Sequence, residues 1–146
     1  MTDTKSNILI IDDSETDSLL MEEAIKSTMM EANTFIVNSA AEAFKFLNQK
    51  DERKDAPRPD LILLDLKLPD YDGHDFLTVI KKDPRLLTIP VVVLTTSTRD
   101  ADITKSYQLH ANCYVVKPVN FMKFKKVISV INDFWLGIAK LPPRDA

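Results

Sequence analysis

Short apolar runs alternate with amphipathic stretches from one end of the chain to the other. The runs fall at Asn7–Ile11, Thr34–Val37, Leu61–Asp65, Val91–Thr95 and Cys113–Val116. Three of them (I-L-I-I, L-I-L-L and V-V-V-L) are continuous rather than alternating. Strands buried on both faces read this way, and such strands belong to a parallel sheet with helices on either side. The intervening segments carry helical periodicity. Ser14 stands as an N-cap ahead of Leu20, Met21, Ala24, Ile25 and Thr28. Ala40, Ala43, Phe44 and Leu47 share one helical face, and Phe76, Leu77 and Ile80 form a shorter stripe. Ile103, Tyr107 and Leu109 make the weakest pattern; Phe124, Val127, Ile128, Ile131, Phe134 and Trp135 make the clearest. Punctuation agrees: Pro57 and Pro59 end a charged loop, Asp83–Pro84 closes the third helix and Pro90 opens the fourth strand.

The order is therefore βα repeated five times, which right-handed crossovers turn into a doubly wound, open α/β sheet. A chain of 146 residues suits one domain. Its core is expected over about residues 7–136, with residues 137–146 as a C-terminal tail whose last stretch, Leu141–Ala146, is loose. Sheets of this kind bind ligands beyond the carboxyl ends of their strands, at the topological switch point.

Composition then removes whole classes of function. Two glycines in the entire chain leave no room for a Gly-rich phosphate cradle or for a G-x-S-x-G nucleophile elbow. A net charge of −3 without any basic run argues against nucleic-acid or anionic-membrane partners. The lone Cys113 lies in an apolar stretch and forms no disulfide framework, which suits a reducing compartment. The N-terminal M-T-D-T-K-S-N lacks a signal core, and no apolar run approaches the roughly 18 residues of a membrane span. The expected location is the cytoplasm.

The strand ends concentrate the chemistry. The first ends in Asp12-Asp13, the third in Asp65, the fourth in Thr95-Thr96, and the fifth is followed by Lys117-Pro118. Three carboxylates in one pocket repel each other, so stability does not explain them. Oxygen-only ligation with high charge suits Mg²⁺, which takes one or two carboxylates, waters and phosphate oxygens. A hydroxyl and an ammonium converging on the same place complete a site for a phosphoryl group, and a carboxylate can itself be the nucleophile. Taken singly, each piece has a plainer reading: the acidic pair as a helix cap, the threonine as a β-former, the lysine as a solvated cation. Their occurrence at four strand ends in this order favours the chemical reading. Neighbouring side chains on a strand face opposite ways, so only one of Thr95 and Thr96 can enter the pocket.

Over I-I-D-D-S, D-L-I-L-L-D-L-K-L-P-D-Y-D-G, P-V-V-V-L-T-T and Y-V-V-K-P, from Ile8 to about Ile131, the chain resembles the receiver domains of two-component response regulators. That resemblance implies a flavodoxin-like (βα)5 fold with strand order 2-1-3-4-5 and a phosphoryl group taken from a histidine kinase on Asp65. It implies Mg²⁺ held by Asp13 directly, by Asp12 mainly through water, by Asp65 and by the backbone carbonyl of Lys67. It makes Thr95 the switch hydroxyl, Tyr114 the rotating aromatic and Lys117 the pocket's cation. The family's spacing favours Thr95 over Thr96, and its Lys117–Pro118 bond is often cis. S-Y-Q-L-H-A-N-C-Y and D-F-W-L-G-I-A-K-L-P resemble, more narrowly, the small regulators paired with phytochrome-type histidine kinases. The output surface is expected on the fourth helix, fifth strand and fifth helix. Phe121, Val130, Leu136 and Ile138 lie off the face that runs from Phe124 to Trp135. They either wrap the molecule's own core or form an interface, and the narrower resemblance favours a homodimer through the fourth and fifth helices.

Some positions depart from the family. Lys67, two residues past Asp65, is either an exposed lysine or a side chain that sets the lifetime of the phosphorylated state. His110 stands where receivers usually have glycine, which costs something if its φ is positive. His74 reads as exposed, and Asp70 and Asp72 read as turn residues. Other classes fit less well. An aspartate-nucleophile phosphatase needs a second acid in D-x-D, where this chain has D-L-K. A flavodoxin-like cofactor binder needs a phosphate loop where this chain has D-D-S-E. A phosphate-independent binding module remains as the alternative on the same scaffold. No enzymatic turnover is expected beyond the protein's own phosphorylation and dephosphorylation.

Overall fold

The computed structural model describes residues 5–144. Five parallel strands form one sheet in the order β2-β1-β3-β4-β5. They are β1 (Ser6–Ile11), β2 (Ala32–Val37), β3 (Leu61–Leu64), β4 (Val91–Thr95) and β5 (Cys113–Val116). The helices between them are α1 (Glu15–Lys26), α2 (Ala40–Asn48), α3 (Gly73–Lys82), α4 (Asp100–Gln108) and α5 (Phe121–Asn132). This is the flavodoxin-like (βα)5 arrangement.

The continuous apolar runs split by parity into two cores, because alternate residues of a strand face opposite ways. Leu9, Ile11, Ile62, Leu64, Val91 and Val93 meet Ala43, Phe46 and Leu47 of α2 and Phe76, Leu77 and Ile80 of α3. Ile8, Ile10, Leu61, Leu63, Val92 and Leu94 meet Met21, Ala24 and Ile25 of α1 and Phe124 and Ile128 of α5. In α4, the helix with the weakest pattern, only Ser106 is buried.

Caps explain where the helices begin. The Ser14 hydroxyl accepts the Asp17 N–H at 3.2 Å, Ser39 caps α2, and Asp72 accepts the His74 N–H at 2.7 Å. Asp70, also read as a turn residue, reaches across to accept the Ala40 and Ala41 N–H groups at 3.0 Å each. Its carboxylate sits on the positive end of the α2 dipole. At Asp83 the chain turns extended, as the residue before a proline must. His110 does take a positive φ, 71°.

Three expectations need correction. His74 is buried at 5% exposure, because its Nε2 reaches Ser106 Oγ at 2.9 Å and so joins α3 to α4. After Asn132 the chain widens into a π-helical turn, Asp133–Ile138, closed by the Ala139 N–H on the Phe134 carbonyl at 2.7 Å. A π turn breaks the 3.6-residue period, so Phe134 rotates outward to 46% exposure while Leu136 packs inward on the α1/α5 core. The tail is tied down through Arg144, which pairs with the buried Asp60 at 3.1 Å. Of the stretch read as loose, Asp145 and Ala146 lie outside the described residues.

Candidate functional site

The carboxyl ends of β1, β3 and β4 and the residue following β5 converge on one pocket. Asp12 is nearly fully buried, at 2% exposure. Its N–H extends the sheet by donating to the Val37 carbonyl at 3.1 Å, and its Oδ1 accepts the Ser14 N–H at 2.9 Å. Asp65 follows the last residue of β3, donates its N–H to the Ile11 carbonyl at 2.9 Å and is 8% exposed. Its Oδ1 accepts the Lys67 N–H at 3.1 Å. Asp13 is exposed. One carboxylate oxygen from each of Asp12, Asp13 and Asp65 lies within 4.8 Å of the others. This is the single cluster of its kind among the described residues. Gly73 makes room beside it: a Cβ there would stand 2.5 Å from the Leu66 Cα, so only glycine lets α3 start against the chain just past Asp65.

Lys117 supplies the counter-charge. Its N–H donates to the Thr95 carbonyl at 2.7 Å, which fixes its backbone beside the end of β4. Its ammonium donates to Asp12 Oδ2 at 2.6 Å, Asp17 Oδ2 at 2.8 Å and Asp65 Oδ2 at 3.0 Å. Burial acts to lower the lysine's pKa, but the hydrogen bonds to Asp12 and Asp17 and the charges of Asp12 and Asp65 outweigh it and hold it above its ordinary value. Burial pushes the Asp12 carboxyl up to about 6 even with Lys117 against it. The sequence reading missed Asp17. The signal available was its place in the first turn of α1, three residues after the cap.

Thr95 is fully buried, Thr96 exposed. The Thr95 hydroxyl has no hydrogen-bond partner, a deficit that typically costs about 1–3 kcal/mol. Tyr114, half-buried on β5, donates its hydroxyl to the Ser97 carbonyl at 3.0 Å in the loop after β4, and burial raises its pKa. The structure thus brings Asp12, Asp13, Asp65, Thr95 and Lys117 together, with Lys67 hydrogen-bonded to Asp65 through its backbone and Tyr114 of β5 hydrogen-bonded to the loop that follows Thr95. No cis peptide occurs among the described residues. Lys117–Pro118 is trans, against the family expectation, in line with the intrinsic trans preference of roughly 0.5–1 kcal/mol. Cys113 is half-buried, and burial pushes its thiol pKa up.

The donor set is all oxygen, carries several negative charges and sits beside a buried hydroxyl that lacks an acceptor or donor partner. Those features fit a hard divalent cation together with an oxyanion. They do not resemble a nitrogen- or sulfur-rich transition-metal site.

The comparisons with known proteins agree with this geometry. Response regulator Rcp1 of Synechocystis is 44% identical over 92% of this chain and 92% of its own. The probable methanogenesis regulatory protein FilR2 of Methanothrix harundinacea is 36% identical over 92% of this chain and 86% of its own. Among solved structures, the phosphorylated cyanobacterial phytochrome response regulator RcpA superposes with a TM-score of 0.92 at 41% identity, covering 96% of this chain and 100% of that one. The Mn²⁺-bound form of Rcp1 superposes with a TM-score of 0.90 at 43% identity, over 94% and 99% of the two chains. The response regulator receiver domain description matches residues 8–129. Residues 8–129 include β2 to β5, most of β1 and every strand end that lines the pocket, and the chain belongs to the response regulator receiver domain family, as a two-component signalling protein rather than a conventional enzyme.

Proposed function

We propose that this protein is a single-domain receiver that accepts a phosphoryl group on Asp65 from a histidine kinase of the phytochrome type. The near full-length match in both directions to phytochrome-associated regulators supports the kinase class and the single-domain organisation. One observation carries the chemistry: the Asp65 carboxylate faces the Lys117 ammonium while the nearby Thr95 hydroxyl is buried and unpartnered. The group fitted to the acidic trio is Mg²⁺, held by Asp12, Asp13, Asp65 and the Lys67 carbonyl, and it supplies charge neutralisation for the phosphoryl oxygens.

The chain's own residues do the rest. The Asp65 carboxylate forms a P–O bond as the donor's P–N bond breaks, and the donor imidazole leaves with the electron pair. Lys117 neutralises a phosphoryl oxygen. Thr95 gains the acceptor that its hydroxyl lacks, which favours the phosphorylated arrangement. Tyr114, anchored to Ser97 in the same loop, is the aromatic whose packing follows that movement. Inverting a 1:99 equilibrium in this way takes about 5.5 kcal/mol, so a partial shift is expected. The turnover is confined to the protein's own phosphorylation and dephosphorylation, and the exposed Lys67 side chain modulates the lifetime of the modified state.

Output runs through α4, β5 and α5, as a homodimer. Support comes from the exposed large side chains on that side: Tyr107, Val116, Phe121, Met122 and Val130. Neither nucleic acid nor a membrane surface is a partner, in keeping with the acidic charge balance, and no helix of the described chain is long and apolar enough to cross a membrane. The proposed location is the cytoplasm. Intact-mass measurement after incubation with acetyl phosphate and Mg²⁺ tests the chemistry. One added phosphoryl group in the wild type, absent from Asp65→Asn and in EDTA, is the expected result. A folded protein with no adduct, even when quenched early, would refute it.

A further inference from the structure

We infer that Asp17 is a positioning residue that keeps the Lys117 ammonium paired when the acidic trio turns toward a divalent cation. The inference rests on the metal reading above and extends it to a residue outside the ligand set.

Lys117 has three N–H donors and three carboxylates around them. Two of those carboxylates, Asp12 and Asp65, belong to the trio that can hold a cation; Asp17 does not. The Lys117 side chain is 4% exposed, so water does not replace a lost partner. Once Asp12 engages a cation, the shortest of the three contacts, 2.6 Å, is weakened or lost, and the Asp65 contact is shared. An ammonium stranded in a buried site is expensive. Asp17 removes that expense. Its backbone is pinned by the Ser14 cap, and its side chain is 27% exposed. It stands at the partly exposed edge of the pocket, 2.8 Å from the Lys117 ammonium. Asp17 therefore lets the cation and the lysine occupy one pocket before any phosphoryl group arrives to share their charge.

A double-mutant cycle on the full chain tests this, with Mg²⁺ affinity read by titration calorimetry. The four proteins are wild type, Asp17→Ala, Lys117→Met and the double variant, each checked for its fold by circular dichroism. Should Lys117→Met not fold, Lys117→Gln takes its place. With Lys117 present, Asp17→Ala should weaken Mg²⁺ binding about tenfold, the scale of coupling between groups in one ionic network. With Lys117 removed, the same substitution should change the affinity less than about twofold, because no ammonium is left to strand. An equal loss in both backgrounds would mean that Asp17 acts only by long-range attraction, and no loss in either would mean that it does nothing; each result overturns the inference while leaving the metal reading intact. A wild-type protein that binds no Mg²⁺ would instead overturn the metal reading, and this inference with it.

Discussion

Replacing Lys117 by methionine removes the one cation among four neighbouring carboxylates while keeping the length and burial of the side chain. Asp12 and Asp65, both buried, lose contacts of 2.6 and 3.0 Å, and Asp17 loses one of 2.8 Å. Stripping one partner from a buried ionic network costs about 3–5 kcal/mol. The carboxylates have an escape that bounds this cost: one of them can take up a proton. Forcing a proton at pH 7 onto a carboxyl whose unfolded pKa is about 3.9 costs roughly 4 kcal/mol, at 1.36 kcal/mol per pH unit. At pH 5 the same step costs only about 1.5 kcal/mol. The direction follows from linkage. The variant's folded state holds a proton that its unfolded state does not, so its stability relative to wild type rises as the pH falls. Urea unfolding should therefore show Lys117→Met less stable by about 3 kcal/mol at pH 7 and by about half of that at pH 5, with unchanged denaturant slopes. A deficit that stays constant across that range, or no deficit at pH 7, would refute the claim that Lys117 compensates buried charge.

Three further outcomes follow from the geometry. The Asp12 carboxyl, pushed up to about 6 by burial, binds a cation only when ionised, so Mg²⁺ affinity should rise with pH through 6 and level off above it; calorimetry should find about a tenfold loss between pH 7 and pH 5, with proton release on binding. Gly73→Ala would place its Cβ 2.5 Å from the Leu66 Cα and 2.8 Å from the Leu66 carbonyl oxygen, so urea unfolding should show a loss of about 1–3 kcal/mol. His74→Ala removes the bond to Ser106 and leaves a cavity between α3 and α4, so Tm should drop by about 4–8 °C, the equivalent of roughly 2 kcal/mol in a chain of this size; a Tm within a degree of wild type would return His74 to the surface.

The contrast between what the sequence foretold and what it hid has a physical pattern. The parallel sheet with helices on both faces was legible because continuous apolar runs read as strands buried on both sides, the strand order followed from the family resemblance, and the gathering of Asp12, Asp13 and Asp65 was legible because parallel strand ends converge. His74 was misread because its partner Ser106 is 32 residues away, and a polar residue at a helix start is usually solvated. Asp17 escaped because a first-turn acid is ordinarily explained by the helix dipole, while its real partner is 100 residues away. The rotation of Phe134 and Leu136 could not be read from an amphipathic pattern, since that pattern assumes the 3.6-residue period which the π turn abandons.

The Asp60–Arg144 pair has a practical side. Arg144 also donates to the Lys5 carbonyl, so the first and last described residues meet at one point, beside the start of β3 and at the amino ends of the strands. The cluster of Asp12, Asp13 and Asp65 sits at the opposite rim. A dye or tether attached at Lys5 or Arg144 would therefore stand a full strand length from the pocket. Lys5 and Arg144 are also close enough that joining the chain there with a short linker and opening it in an exposed loop should yield a permuted protein with its acidic pocket intact.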